Sequence, residues 1–415
     1  MSDSSATRRD FLAGRALRDE IVAIGQSTGD AMLGEAEEPR REPTSGATIR
    51  LATSAMATDF AVILNEAHRD DPRQPLRWAS EALDLIHLLE DQMSVYRPHT
   101  ELSQLNRVAA SRPVVVEERL FELLCCAREI WRETDGCFDP TSGPLIALWR
   151  QCRKEVRLPT EAELAERLAL VGMQHVAFPR SGCERIGERS RAERGNEERG
   201  NEEPSNPKRE RGAAERGSVE RGSVEHSPSL TLRVTFDRLG VELNLGSIGK
   251  GYALDRAAEI LNEHELTEWL LQGGHSSVIA RGGHNGLPGW PVGLRNPLLP
   301  QRRLGTILLR DQALATSGTA VQHFRFEGKR YGHIIDPRTG WPTDTMLSVT
   351  VLAPTAAEAD ALSTAFFVGG VEIARRYCSN HQSVSALLIP PPVGGQRLEP
   401  INIGVSEDAL FWNDE

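Results

Sequence analysis

The sequence predicts an α+β body carrying one unstructured insertion, and three observations support that reading. Four stretches place apolar residues at helical spacing, while a larger number of short runs read as strands. The two kinds do not alternate in the regular β-α-β order of a parallel sheet, so a doubly wound fold is not expected. Residues 181–229 stand apart, because Glu-Arg-Gly recurs at 193, 198, 210, 215 and 220 with almost no apolar residue between the copies. Such a stretch cannot bury enough surface to order itself.

Residues 1–48 are polar and rich in Glu, Arg, Gly and Ser, with Glu37-Glu38-Pro39-Arg40-Arg41-Glu42-Pro43 as a linker, and are read as a disordered arm. Within it, Thr7-Arg8-Arg9-Asp10-Phe11-Leu12 resembles a twin-arginine export signal. The apolar stretch of roughly 7 or more residues that should follow is interrupted by Arg15, Arg18, Asp19 and Glu20. A cytoplasmic location is therefore expected, with export as the alternative. Residues 49–415 form one body, split by the insertion.

Inside that body, Phe60–Leu64 reads as a strand. A long helix is predicted over 75–96, with Ala79, Leu83, Leu85, Ile86 and Leu89 on one face. A second helix spans 117–133 and is stopped by Asp135-Gly136. Val176–Phe178 and Leu230–Phe236 read as two strand pieces joined by the insertion. After a further turn and strand comes a Gly-rich loop opening a helix over 249–262, then strands near 269–271, 277–280, 304–309, 321–326 and 347–352. A last helix starts near Ala356, where Thr355 can cap and Glu358 can reach back in a capping box.

Composition removes several function classes. With 48 basic and 59 acidic residues the net charge is −11, so no overall positive field is available for nucleic acid, and no nucleic-acid partner is expected. No apolar run approaches the roughly 18 residues of a spanning helix, so no integral membrane segment is expected. The six cysteines, Cys125, Cys126, Cys137, Cys152, Cys183 and Cys378, include no C-x-x-C pair, which removes zinc-ribbon and thioredoxin-like readings. They are read as buried free thiols, Cys125 and Cys126 through helix packing.

Three segments carry candidate chemistry. On the last helix Asp360 and Thr364 stand at i and i+4 with Ser363 between them, so their oxygens share a face that suits a hard cation such as Mg²⁺. A solvated polar face is the plainer alternative. Asn244-Leu245-Gly246-Ser247-Ile248-Gly249-Lys250-Gly251 offers helix-start N–H groups and a lysine to an anion. Its glycine order fits neither a Walker A loop nor a dinucleotide fingerprint, leaving a simple glycine turn as the alternative. His333-Ile334-Ile335-Asp336-Pro337-Arg338-Thr339-Gly340 joins a strand end to an Asp-Pro turn, and Ala315-Thr316-Ser317-Gly318 reads as a second small-residue loop.

Together with Met93-Ser94-Val95-Tyr96, Glu101–Asn106, Asp135-Gly136-Cys137-Phe138-Asp139-Pro140-Thr141 and Glu358–Thr364, these segments resemble the ApbE family of FAD:protein FMN transferases. The resemblance implies a flavinyltransferase that binds FAD and Mg²⁺, moves FMN onto a threonine of an acceptor flavoprotein and releases AMP. It implies that Asp360, Thr364, Ser363 and a carbonyl at Ser247 hold the metal. Met56, Tyr96, Cys137, Phe138, Asp139, Asn244, Lys250 and Ile335 would line FAD, and His333 and Asp360 would act at the centre. The proton of the acceptor hydroxyl is taken by His333 or by a carboxylate; residue type leaves both open. The chain departs from the family pattern at Asn244 and His275, where Asp is usual, and in the Ser247 and Gly249 loop. An FAD pyrophosphatase and a flavin-binding protein without turnover remain the alternatives.

Overall fold

The structure, a computed structural model, describes residues 48–65, 73–179, 232–318, 323–392 and 397–413. In chain order the elements begin with β1 (Thr48–Ala55), β2 (Thr58–Asn65), α1 (Arg73–Met93), α2 (Glu101–Val108), β3 (Val114–Val115) and α3 (Glu118–Glu133). Next come α4 (Gly143–Glu155), α5 (Glu161–Leu168), β4 (Val176–Ala177), β5 (Arg233–Phe236), α6 (Gly249–Glu263), β6 (Trp269–Gly273) and β7 (Ser277–Arg281). They continue with β8 (Trp290–Arg295), β9 (Arg303–Leu309), β10 (Gln312–Gly318), β11 (His323–Phe326) and β12 (Lys329–Gly332). The chain closes through β13 (Ser348–Ala353), α7 (Ala356–Asn380), β14 (Ser385–Ile389), β15 (Ile401–Ile403) and β16 (Leu410–Trp412).

The frame is an eight-stranded sheet in the order β1-β2-β6-β7-β10-β13-β14-β15, with every pairing antiparallel. The strand period of two divides its residues between two cores. Phe60, Val62, Leu271, Ala313, Ala315, Val349 and Val351 face the main core under α1, α6 and α7. Ile63, Leu270, Val278, Leu314, Leu352 and Leu387 face the other way, onto a second core closed by the β16-β9-β8 sheet with Trp290 and Ile307. The α+β class is borne out. Insertion and arm fall outside the described residues. The insertion's flanks are seen, and β4 pairs antiparallel with β5, Val176 opposite Phe236.

Several expectations are corrected. Ala315–Gly318 is strand, the end of β10, hydrogen-bonded along its length to β13 and over its first half to β7. Strand propensity spans only about 1 kcal/mol, so pairing on both edges decides against the turn-like composition. The helix read over 75–96 stops at Met93, and the strand expected just before the Gly-rich loop is an isolated bridge between Ser142 and Glu242. Helices α2, α4 and α5 and several edge strands were not anticipated; in each, the apolar face is short. Cys137, Cys152 and Cys378 are buried free thiols, but Cys126 is exposed and Cys125 is disulfide-bonded. Cys183 lies outside the described residues.

Candidate active site

Asp360 stands one turn into α7 and is almost wholly buried, at 4% exposure. The solvated-face alternative is therefore wrong. Burying a carboxylate is costly unless it is hydrogen-bonded and paired, and three elements supply the partners. From β7, the Ser277 hydroxyl donates to Oδ1 at 2.7 Å. From the start of α6, the Gly251 N–H donates to Oδ2 at 3.0 Å and Lys250 Nζ lies 3.3 Å from the same oxygen. No side chain of its own caps α6. The anion seat read from the Gly-rich loop exists, and the protein's own carboxylate engages it.

This meeting requires close backbones. A Cβ on Gly251 would lie 2.0 Å from the Ala356 carbonyl oxygen, so only glycine lets α6 and α7 approach this far. The contact is reciprocal. Asp255, one turn further along α6, accepts the N–H groups of Ala356 at 2.7 Å and Ala357 at 2.8 Å, capping α7 across the interface. Thr355 accepts the Glu358 N–H as expected, while the Glu358 carboxylate meets the Tyr377 hydroxyl.

Ser363 and Thr364 turn their hydroxyls back to the Asp360 carbonyl at 2.9 and 3.4 Å. Ser317, on the helix-facing side of β10, reaches Ser363 at 2.9 Å and Thr364 at 3.3 Å. Thr316 points to the opposite face and pairs with Thr350. One carboxylate thus stands among the hydroxyls of Ser277, Ser317, Ser363 and Thr364, with one ammonium beside it. Among the described residues no three His, Cys, Asp or Glu side chains converge as a metal site. A lone carboxylate with hydroxyls is nevertheless a donor set that Mg²⁺ accepts when substrate phosphates and waters complete its shell.

Asn244 folds its loop, its Oδ1 accepting the Gly246 N–H and its own N–H donating to the Pro140 carbonyl. Asn106 on α2 pins the same loop through both backbone groups of Leu243. Ser247 is half-buried between Gly246 and the α6 start. Asp139 is buried, accepting the Thr141 N–H and hydroxyl and a bond from Trp131, and burial pushes its carboxyl up to about 6. Cys137 and Phe138 have no exposed surface and pack into the main core; burial raises the Cys137 thiol to about 11, so it is no nucleophile. Met56 occupies the β1–β2 turn with φ of 52°, its N–H on Glu90.

A second, largely exposed group, called the rim below, gathers around Tyr96 and Trp149. The Tyr96 ring lies under the Arg150 guanidinium at 4.8 Å, and Arg150 also donates to its hydroxyl at 2.7 Å. Next to Arg150 on α4, Trp149 meets Trp341 and Tyr331 and bonds the Gly340 carbonyl. His333 is exposed two residues beyond Tyr331, and Ile335 pairs with Pro342 across the following turn. This segment is tied to α7 by the Thr345 hydroxyl on the Phe367 carbonyl. Sequence reasoning missed Ser277, Asp255 and Arg150, and placed Ser317 in a loop.

A model of the ApbE family matches residues 56–388, a span containing every side chain of the Asp360 cluster and of the rim. The chain belongs to the ApbE family. It is 28% identical over 314 residues to an FAD:protein FMN transferase of Klebsiella pneumoniae, covering 75% of this chain and 81% of that protein. A protein of the same description from Treponema pallidum is 29% identical over 321 residues, 75% of this chain and 76% of that one. Among solved structures, the ApbE protein of Thermotoga maritima superposes with a TM-score of 0.64 at 26% identity, covering 85% of this chain and 96% of that chain. The flavin transferase ApbE from Vibrio cholerae gives 0.64 at 24% identity, with 87% and 98% covered, and supports the fold.

Proposed function

We propose that this ApbE-family chain is an FAD:protein FMN transferase that moves FMN from FAD to a threonine hydroxyl of a partner flavoprotein and releases AMP. The observation that carries the reading is the convergence on buried Asp360 of Lys250, the α6 N-terminus and the hydroxyls of Ser277, Ser363 and Thr364. The names of its relatives point the same way.

The donor set fits Mg²⁺. Asp360 Oδ1 accepts one described hydrogen bond, which leaves lone-pair capacity, and the Ser363 and Thr364 oxygens, which donate to the Asp360 carbonyl, each keep at least one lone pair beside Ser317. Asp360, Ser363, Thr364 and the Ser247 carbonyl would hold the ion, which supplies charge neutralisation on a diphosphate. Lys250 adds a fixed ammonium at the same end. Asn244, Asp139, Met56, Tyr96 and Ile335 are assigned to the FAD-binding wall, with Cys137 and Phe138 supporting it from the core.

In the transfer, the acceptor oxygen forms a bond to the FMN phosphorus as the bond from that phosphorus to the bridging oxygen breaks. AMP departs with that oxygen. The acceptor proton passes to a base, a role assigned here to exposed His333. The test is incubation with FAD, MgCl₂ and a threonine-bearing acceptor. Flavin fluorescence on the denatured acceptor with equimolar AMP is expected. Free FMN with AMP would instead make the chain a pyrophosphatase, and unchanged bound FAD a binding protein.

A further inference from the structure

Two carboxylates cross the α6–α7 junction in opposite directions. Asp360 of α7 takes an N–H at the start of α6, and Asp255 of α6 takes two at the start of α7. The second has no part in the reading of the site given above. Its donors are the N–H groups of the first two residues of α7, so Asp255 grips that helix about two turns before Ser363 and Thr364. The two bonds of this clamp lie about one turn apart along α6, at Gly251, where an added Cβ would meet the Ala356 carbonyl, and at Asp255.

We infer that Asp255 is a positioning residue: by bonding the Ala356 and Ala357 N–H groups it sets the depth at which α7 meets α6, and so the placement of Asp360 beside Lys250. The alternative role is simple capping, in which Asp255 stabilises α7 without affecting the ligand-binding geometry. Thr355 provides the contrast, because it caps the same helix from its own end, through the Glu358 N–H at 3.2 Å, with no bond to α6. An Asn at 255 keeps the size but presents one acceptor oxygen and an NH₂ group to two N–H donors. The clamp opens on one side.

The inference rests on the Asp360 cluster being a Mg²⁺ and FAD site, so the experiment reads binding as well as folding. Full-length Asp255→Asn and Thr355→Ala are compared with the unaltered chain for melting temperature, FAD dissociation constant and the Mg²⁺ concentration giving half-maximal FAD binding. Both variants should melt lower. Only Asp255→Asn should weaken FAD and raise the Mg²⁺ requirement, each by about 10-fold or more, as loss of a group orienting a metal ligand does. If Asp255→Asn lowers melting but leaves both binding values where Thr355→Ala leaves them, Asp255 is a cap only and the inference fails. Should Asp255→Asn not fold, Asp255→Glu, which keeps charge and acceptors but shifts them by a methylene, carries the same comparison. An unaltered chain that binds no FAD with Mg²⁺ would sink the reading of the site and the inference with it; Mg²⁺-dependent binding that Asp255→Asn leaves intact sinks the inference alone.

Discussion

The α6–α7 junction and the Tyr96–Arg150 rim are built on opposite principles. At the junction the groups around Asp360 are buried or half-buried and come from other elements: β7 through Ser277, β10 through Ser317, α6 through Lys250 and Gly251. At the rim, Tyr96 is 66% exposed and Trp341 38%, and the contacts are a cation over a ring and edge-on aromatics. Loss of one partner at the junction strands a buried charge, whereas each rim contact is worth about 0.5–1 kcal/mol at an exposed site. Fixed geometry is thus concentrated around Asp360, and adaptable surface around Tyr96.

The sharpest way to break this contrast is Asp360→Ala. It should abolish transfer at any Mg²⁺ concentration, and Asp360→Glu should leave only a trace, because Mg²⁺ tolerates little displacement from about 2.0–2.1 Å. Full single-turnover activity of Asp360→Ala at saturating Mg²⁺ would reduce the junction to scaffolding. At the rim, His333→Asn should keep FAD affinity within a few-fold and slow transfer by roughly 10²–10⁴, the worth of a positioned base. Weakened FAD binding with an unchanged rate at saturating FAD would make His333 a binding residue.

Asp139 offers a test in pH. Burial raises its folded carboxyl from 3.8 to about 6, so between those values the folded state holds a proton that the unfolded state has released. Its contribution to stability is present at low pH and lost as pH rises through about 6. Relative to Asp139→Asn, the unaltered protein should therefore gain melting temperature from pH 7 to pH 5. A difference between the two that does not vary with pH would mean that the Trp131 and Thr141 bonds keep the carboxylate ionised. The smallest effect belongs to Arg150→Ala, which should weaken FAD about 2- to 5-fold if Tyr96 contacts the flavin, through loss of the stacked cation. A loss as large as that of Asp360→Ala would erase the distinction between junction and rim.

The parts of the site readable from sequence are those written within one helical turn. Asp360, Ser363 and Thr364 announce themselves by i, i+3 and i+4 spacing, and the Lys250 loop by its glycines before an apolar helix. Ser277 and Asp255 act across 83 and 101 residues of chain, and nothing local to either marks the contact. Ser317 was hidden differently. Ala315-Thr316-Ser317-Gly318 has the small residues of a loop, and only its pairing with β13 reveals that period two sends Ser317 to the helices and Thr316 away. The helices over 118–133, 249–263 and 356–380 were legible because each buries a broad apolar face; eight-residue α2 and α5 bury too little to leave a periodic trace.

The pairing of β4 with β5 has a consequence for handling the molecule. Ala177 and Thr235 face each other across an antiparallel ladder, so the described chain on the two sides of the insertion meets at adjacent points. Closing a loop between neighbouring ends costs little more for a long segment than a short one, each doubling adding about 0.6 kcal/mol. The sequence joining these strands is therefore a port for engineering: a tag, a reporter domain or a surface tether whose own termini lie close together, added there with the native residues kept, should leave the β4–β5 pairing in place.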